Sequence, residues 1–372
     1  MNRRDFCRQG LMAATVGLLS EALADEPKGK PRRVPKIGHD APPRNRRPYA
    51  NLDWSACTQI RTTSHGHCVN DRMLAEYKRH GFGLMTISNY RPSAPTCPGR
   101  ELFGNWPENV LEAPNAEHHA FLHPGSGKSV RGLHMNGLGS VFCSSVCETL
   151  HTRNSGKVRC KKCDGSQLPW TEGIDGIIGG LVQPDGGGIT VNHPTWTRLD
   201  RMLMLKMLDY DPRVLGCEVL NSGTNDERFW DWILASGRQC FGFFAPDWSA
   251  GKPGFRDFGA NVLVVPKPTV EDCLRAYRLG NFYGSLHALG ELAFTSLAFD
   301  GRRILAATDK PATFQLITAR GVVDEKSGMT YEWCVPEDKG WGTGPALDVF
   351  ARVRACAADG CGEVLFSQPF ML

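Results

Sequence analysis

The sequence predicts an α/β body followed by a smaller all-β unit, and two observations carry that prediction. From about residue 51 to 295, short apolar runs alternate with amphipathic helical patterns. From about 300 to 372 the helical patterns stop and only strand-like runs remain, separated by Gly- and Asp-containing turns. Repeated strand–helix alternation argues for a parallel sheet, open or closed into a barrel. The tail reads as a small antiparallel β-sandwich.

The predicted strands of the body are "GLMTIS" (83–88), "GGITVNHP" (187–194), "GCEVLN" (216–221), "CFGFFAPD" (240–247) and "NVLVVP" (261–266). Each is short and apolar and is bounded by Gly or Pro, as buried strands are. Between them "NDRMLAEYKRHG", "WTRLDRMLMLKMLD", "NDERFWDWILASG" and "TVEDCLRAYRLG" place apolar residues at helical spacing. Three of these end in a glycine, Gly81, Gly237 or Gly280, suited to the left-handed position that closes a helix. Thr269 with Asp272 three residues on approaches a capping box. In the tail, "TFQLITARG", "MTYEWCVPE", "ALDVFARVRACA" and "EVLFSQPFML" are the strand candidates. "HPGSGKS" (123–129) mimics a phosphate-binding loop, but position 122 is Leu where the first Gly belongs, and no strand precedes it.

The N-terminus has a different character. Residues 1–24 hold Arg3-Arg4, a short apolar stretch from Leu11 to Leu19, and the small-x-small site Ala22-Leu23-Ala24. Arg-Arg-Asp-Phe resembles the twin-arginine export signal, so the expected partner is the twin-arginine export machinery and the expected destination is periplasmic or extracellular. The apolar stretch is shorter than the roughly 20 residues that span a bilayer, so no stable membrane span is expected after signal removal. Residues 25–50, rich in Pro and Arg, read as a disordered linker. The formal charge of +4 comes from this end: residues 1–47 hold 11 Lys/Arg against 5 Asp/Glu, and the rest holds 32 against 34. Charge therefore gives no reason to expect a nucleic-acid partner. Of the 14 cysteines, Cys143, Cys147, Cys160 and Cys163 have a spacing that fits either a structural Zn site or two disulfides.

The candidate chemistry lies at strand ends. His65 and His67 are one residue apart, and an extended segment points both imidazoles to one side. His193 closes one predicted strand, Asp247 closes another, and Glu218 lies within a third. Function gathers at the carboxyl ends of strands in α/β folds. "PNAEHHAF" (114–121) adds Glu117, and "GLHMNGLGS" (132–140) adds His134.

"SHGHC", "AEHH", "LHMNGLGS", "VNHP" and "APD", in this order, resemble the PHP (polymerase and histidinol phosphatase) superfamily. The resemblance spans about residues 51 to 295 and, with the tail, divides the chain into a barrel over 51–297 and a β-domain over 300–372. It implies a distorted (β/α)7 barrel that hydrolyses phosphoesters with metals at its mouth. Carried over, His65, His67 and Asp247 would hold one metal, and Glu117 would bridge to a second held by His134 and His193. His119 or His123 are alternatives to His134. Glu117 and Asp247 would also serve catalysis. Arg91, just past the expected mouth, reads either as a group that neutralises a phosphate or as a surface arginine in a loop. The chain departs from the pattern at Ser88-Asn89-Tyr90, at Trp248-Ser249, and after His67, where a further histidine is expected. All three departures fall on ligands of a third metal, which implies a two-metal site.

Such a site lowers the pKa of a water and polarises the substrate oxygen, and its His and carboxylate donors suit Zn, Mn or Fe. The expected function is an exported metal-dependent hydrolase, a phosphoesterase acting on a small-molecule ester or phosphoester. The same site could instead cleave a non-phosphate ester or amide. A reading from another class is a degenerate barrel that binds a ligand without turnover.

Overall fold

The computed structural model describes residues 46–372 apart from 51, 69, 90–105, 120, 127, 129, 131–132, 143–167, 248–258, 288–289, 336–348 and 361. The signal segment, Tyr90, Arg91, the Cys143–Cys163 cluster and Trp248-Ser249 lie outside the described residues. The chain begins with β1 (Thr58–Thr62), α1 (Asp71–Arg79), β2 (Phe82–Met85), β3 (Leu111–Glu112), β4 (Glu117–His119) and β5 (His134–Leu138). Next come α2 (Trp170–Gly179), β6 (Gly188–Val191), the single turn α3 (Pro194–Thr197), α4 (Arg201–Tyr210), β7 (Val214–Asn221) and β8 (Thr224–Asn225). The body ends with α5 (Glu227–Ala235), β9 (Phe241–Ala245), β10 (Ala260–Val265), α6 (Val270–Leu279) and β11 (Phe282–Leu286). The tail consists of β12 (Phe294–Phe299), β13 (Arg303–Thr318), β14 (Gly321–Cys334), β15 (Phe350–Ala357), β16 (Val364–Phe366) and β17 (Phe370–Met371).

Local chemistry sets these boundaries. Asn70 caps α1 by accepting from the Met73 amide at 2.9 Å. Thr269 caps α6 by accepting from the Asp272 amide at 3.2 Å. Gly81, Gly237 and Gly280 all lie at φ between 72° and 77°, where a Cβ would be strained, and each follows the last turn of a helix. α2 carries three glycines in ten residues. A Cβ on Gly173 would sit 2.1 Å from the Phe121 ring, and one on Gly176 would sit 2.5 Å from Phe142. The glycines let this helix press directly onto those rings.

The fold is mixed α/β, and the predicted parallel sheet is corrected to two mixed ones. One runs β12-β13-β15-β16-β11-β10-β1-β2-β3, with β14 on β13 and β17 on β15; the other runs β4-β5-β6-β7-β8, with β9 on β7. β1/β2, β2/β3, β6/β7 and β7/β9 are parallel. β1/β10, β10/β11, β4/β5 and β5/β6 are antiparallel. Strands β6, β7, β9 and β10 are buried along their whole length. A run buried on both faces reads the same in either direction, so pattern alone cannot give its polarity.

The tail is antiparallel, but it is not a separate layer. β16 pairs with β11 through Gly284–Phe366, Ser285–Leu365 and Leu286–Val364, so the tail continues the body's first sheet. Val262, Val264 and Tyr283 of the body share one core with Phe314, Leu316 and Val353 of the tail. Within residues 25–50, the described part is already packed: Tyr49 is buried and donates to the Phe282 carbonyl at 2.7 Å, and the Arg46 amide donates to Gln239 at 2.8 Å. Among the described residues no helix is long and apolar enough to cross a membrane.

The two sheets meet at one end. Past β1, Gly66 bridges in parallel to both Ile87, past β2, and Asp247, past β9. The Glu117 amide donates to the Ser88 carbonyl at 3.0 Å and so ties β4 to the end of β2.

Candidate metal centre

That shared end gathers the predicted histidines and carboxylates. The Asp247 amide donates to His65 O at 3.1 Å and the His67 amide donates to Asp247 O at 3.3 Å, so the β1 and β9 extensions form a short ladder. His65 and His67 lie two residues apart on it and turn to one side, both fully buried. Asn89 holds the same loop, accepting from the Cys68 amide at 3.1 Å and donating to the Cys68 carbonyl at 2.7 Å. Ser88 Oγ accepts from the Gly66 amide at 2.9 Å. Beneath them Asn115 and Asn136 both donate to Ser64 O. His193 and Asp247 adopt left-handed backbone, at φ 31° and 49°, a cost that recurs at functional sites.

Four ligand atoms converge. His65 Nε2 lies 3.2 Å from His67 Nε2, 3.4 Å from Glu117 Oε2 and 3.2 Å from Asp247 Oδ1. His67 Nε2 lies 3.1 Å from Glu117 Oε2 and 3.4 Å from Asp247 Oδ1. Donors about 2.1 Å from a tetrahedral cation stand roughly 3.4 Å apart. These five contacts are close to that spacing: His65, His67 and Glu117 form one group able to hold a metal, and Asp247 Oδ1 stands beside both imidazoles. Asp247 Oδ1 is buried and accepts no hydrogen bond within the described residues, as a carboxylate oxygen reserved for a cation would be. The donors present fit a divalent transition metal.

Glu117 faces two ways. Its other oxygen, Oε1, lies 2.8 Å from His134 Nδ1 and 3.5 Å from His193 Nε2. Glu117, His134 and His193 form a second group able to hold a metal. The side chains of Glu117 and His193 are nearly buried, whereas those of His134 and Asp247 are 28% and 16% exposed. The cluster therefore opens to solvent along the His134–Asp247 flank.

Sequence reading noted Glu218 only as a strand residue. It is fully buried, accepts from His65 Nδ1 at 2.8 Å with Oε1, and with Oε2 accepts from the His193 amide and from Asn221 Nδ2, each at 2.7 Å. Fixing Nδ1 as the protonated nitrogen aims Nε2 of His65 into the cluster, the usual task of a carboxylate behind a metal-binding histidine. The available signal was a lone Glu within an apolar strand, since a buried carboxylate must have partners.

Burial opposes a charge on His65, but the carboxylates of Glu218, Asp247 and Glu117 outweigh it and hold its pKa well above 6.5. Burial likewise raises the Glu117 carboxyl, but the His65 charge and hydrogen bonds from His134, His193 and His65 outweigh it and hold the pKa well below 4.5. Protons thus balance the carboxylates of the metal-free cluster, and a cation would displace them.

Of the predicted site residues, the structure brings together His65, His67, Glu117, His134, His193 and Asp247. His123 is exposed in a turn, and it joins none of the groups able to hold a metal. His119 lies on β4 opposite His134, and its side chain is outside the described part. Arg91 and the four cysteines are outside it altogether.

No family model matches the chain, and no curated protein matches it. Among solved structures, a two-domain protein from Bacteroides vulgatus containing a predicted PHP-like metal-dependent phosphoesterase aligns with 90% of this chain and 99% of its own, at 12% identity and a TM-score of 0.40. Similarity at that level is too distant to fix a fold.

Proposed function

We propose that the chain is an exported metal-dependent hydrolase that cleaves phosphoesters with two divalent transition metals, Zn, Mn or Fe, on a PHP-like barrel. The observation that supports this best is the set of contacts of 3.1 to 3.4 Å that His65 and His67 make with each other, with Glu117 and with Asp247, close to the spacing of donors around one cation. His65, His67, Glu117 and Asp247 would hold one ion, and Glu117, His134 and His193 would hold the other. Bound together, the two ions supply an activated water and Lewis acidity toward the substrate oxygen. The protein's part is to fix these donors and keep water from their buried side. Glu218 orients His65 from behind, and the His134–Asp247 flank admits substrate. Ser88 and Asn89, where ligands of a third metal would stand, are hydrogen-bonded to the loop backbone instead. A two-metal pocket is less positive, which favours diesters or uncharged esters over dianionic monoesters. The twin-arginine leader supports export of the folded, loaded protein.

Metal analysis together with turnover tests this reading. Purified protein is expected to hold about two transition metals per chain and to hydrolyse bis(p-nitrophenyl) phosphate, losing activity on chelation and regaining it on reloading. A folded chain that takes up no metal would instead leave the binding-only reading. Loaded protein that cleaves aryl carboxylic esters or amides but no phosphoester would move the substrate, not the site.

A further inference from the structure

One side chain on the open flank has no role in the shell. Trp196 is 68% exposed, whereas Trp170 is 7% and Trp230 0% exposed. Among the described residues it is the only aromatic side chain among the exposed large hydrophobics. A lone surface hydrophobe is ordinary, but this one is held in place against the cluster. Its ring centroid lies 5.0 Å from that of His193 and 6.5 Å from that of His134, with interplanar angles of 80° and 79°. In this near-perpendicular arrangement an indole face remains available to solvent.

The backbone fixes that position. α3 is a single turn with Pro194 at its start and left-handed residues at both ends, His193 at φ 31° and Arg198 at φ 56°. The Thr197 amide and hydroxyl both donate to the His193 carbonyl, at 3.1 and 3.2 Å. The Thr195 amide donates to Asp226 at 3.4 Å. Residues three apart in such a turn share a side. The turn that sets His193 against Glu117 therefore also sets Trp196 over the same opening.

We infer that Trp196 is a stacking platform for a flat aromatic ring of the substrate, placed so that the ester beside that ring reaches the metals. The inference rests on the two-metal reading of His134 and His193. It narrows the substrate class to esters carrying an aromatic group next to the scissile bond. An indole–ring stack contributes about tenfold or more in affinity.

The test is calorimetric binding of phenylphosphonate and methylphosphonate, which are not hydrolysed, to the Zn-loaded full chain. Wild type is expected to bind phenylphosphonate about tenfold more tightly. Trp196→Ala should abolish that preference and leave methylphosphonate affinity within about twofold, while Trp196→Phe should keep most of the preference. Because Trp196 is exposed, its removal should not disturb the fold. Preference retained by Trp196→Ala would overturn the platform, as would a loaded wild type that binds both ligands equally or binds neither. If the phenyl preference through Trp196 is present but no ester is cleaved, the hydrolase reading fails and the platform stands.

Discussion

Two buried polar clusters differ in where their positive charge comes from. At the interface of α5 with the tail, Arg352 is 1% exposed and pairs with Asp231 through Nε and Nη2 at 2.8 and 2.9 Å, and with Glu227 at 3.0 Å. Its guanidinium also lies 4.8 Å from the centre of the Trp230 ring. Here the chain supplies a permanent cation of its own. At the junction of the sheets, the cationic partners of Glu117, Glu218 and Asp247 among the described residues are histidines, whose charge depends on pH. A guanidinium locks its carboxylates to one partner, whereas imidazoles can give up their protons to an incoming metal. The first arrangement suits a structural lock and the second an exchangeable centre.

The sharpest way to break this comparison is to remove one member of each. His65→Ala should lower metal content and cut hydrolysis by more than the ten- to hundredfold that changes behind a metal ligand typically cost. Its effect on folding should be the smaller one. Arg352→Ala takes the guanidinium from Asp231 and leaves Glu227 with Arg354 as its cationic partner, and should cost up to about 3–5 kcal/mol of stability. Metal analysis, turnover and urea denaturation of both variants separate these outcomes. If Arg352→Ala loses metal while His65→Ala keeps it, the two roles have been assigned the wrong way round.

Glu218→Gln sharpens the comparison within the metal centre. The amide keeps the shape and its oxygen can still accept from His65, but its NH2 then faces the His193 amide and Asn221 Nδ2, and it no longer pulls on the imidazole with a full charge. Metal affinity should fall about ten- to hundredfold, read by competition with a chromophoric chelator. An unchanged affinity would show that Glu218 is only a core hydrogen-bond partner.

The ease of reading these regions from sequence differs for physical reasons. His65, His67, His193 and Asp247 stood out because polar residues at the ends of apolar strands mark a mouth. Glu218 did not, because apart from Asn221 in the same run its partners come from the loop past β1 and from the β6–α3 junction, and no spacing within "GCEVLN" reveals those. Helices α1, α4, α5 and α6 follow their apolar period and caps. α2 broke the pattern because its glycines answer to Phe121 and Phe142, which are distant in sequence. Strand direction, and the seam at Gly284–Phe366 that joins the tail to the body, are properties of pairing that a single strand's pattern does not carry.

The smallest expected effect is in pH dependence, where the two clusters should respond in opposite senses. Burial raises the Glu227 carboxyl, but Arg352 and Arg354 outweigh it and hold the pKa below 4.5. Its stabilisation is therefore present above the unfolded value and lost as pH falls through the lower folded one. His65 has the opposite sign. In the metal-free chain its raised pKa contributes stability fully present below 6.5 and lost as pH rises through the folded value, well above that. The denaturation midpoint of metal-free protein should thus decline at the alkaline end, and His65→Gln should flatten that decline without altering the acid limb. Glu227→Gln should do the reverse. Adding Zn at neutral pH should release protons, seen as a binding enthalpy that changes with the buffer's ionisation enthalpy, because the metal takes the place that His65 otherwise fills with a proton. A buffer-independent enthalpy would mean that the cluster enters the metal-bound state already deprotonated, and the contrast with the Arg352 lock would then lie in geometry alone.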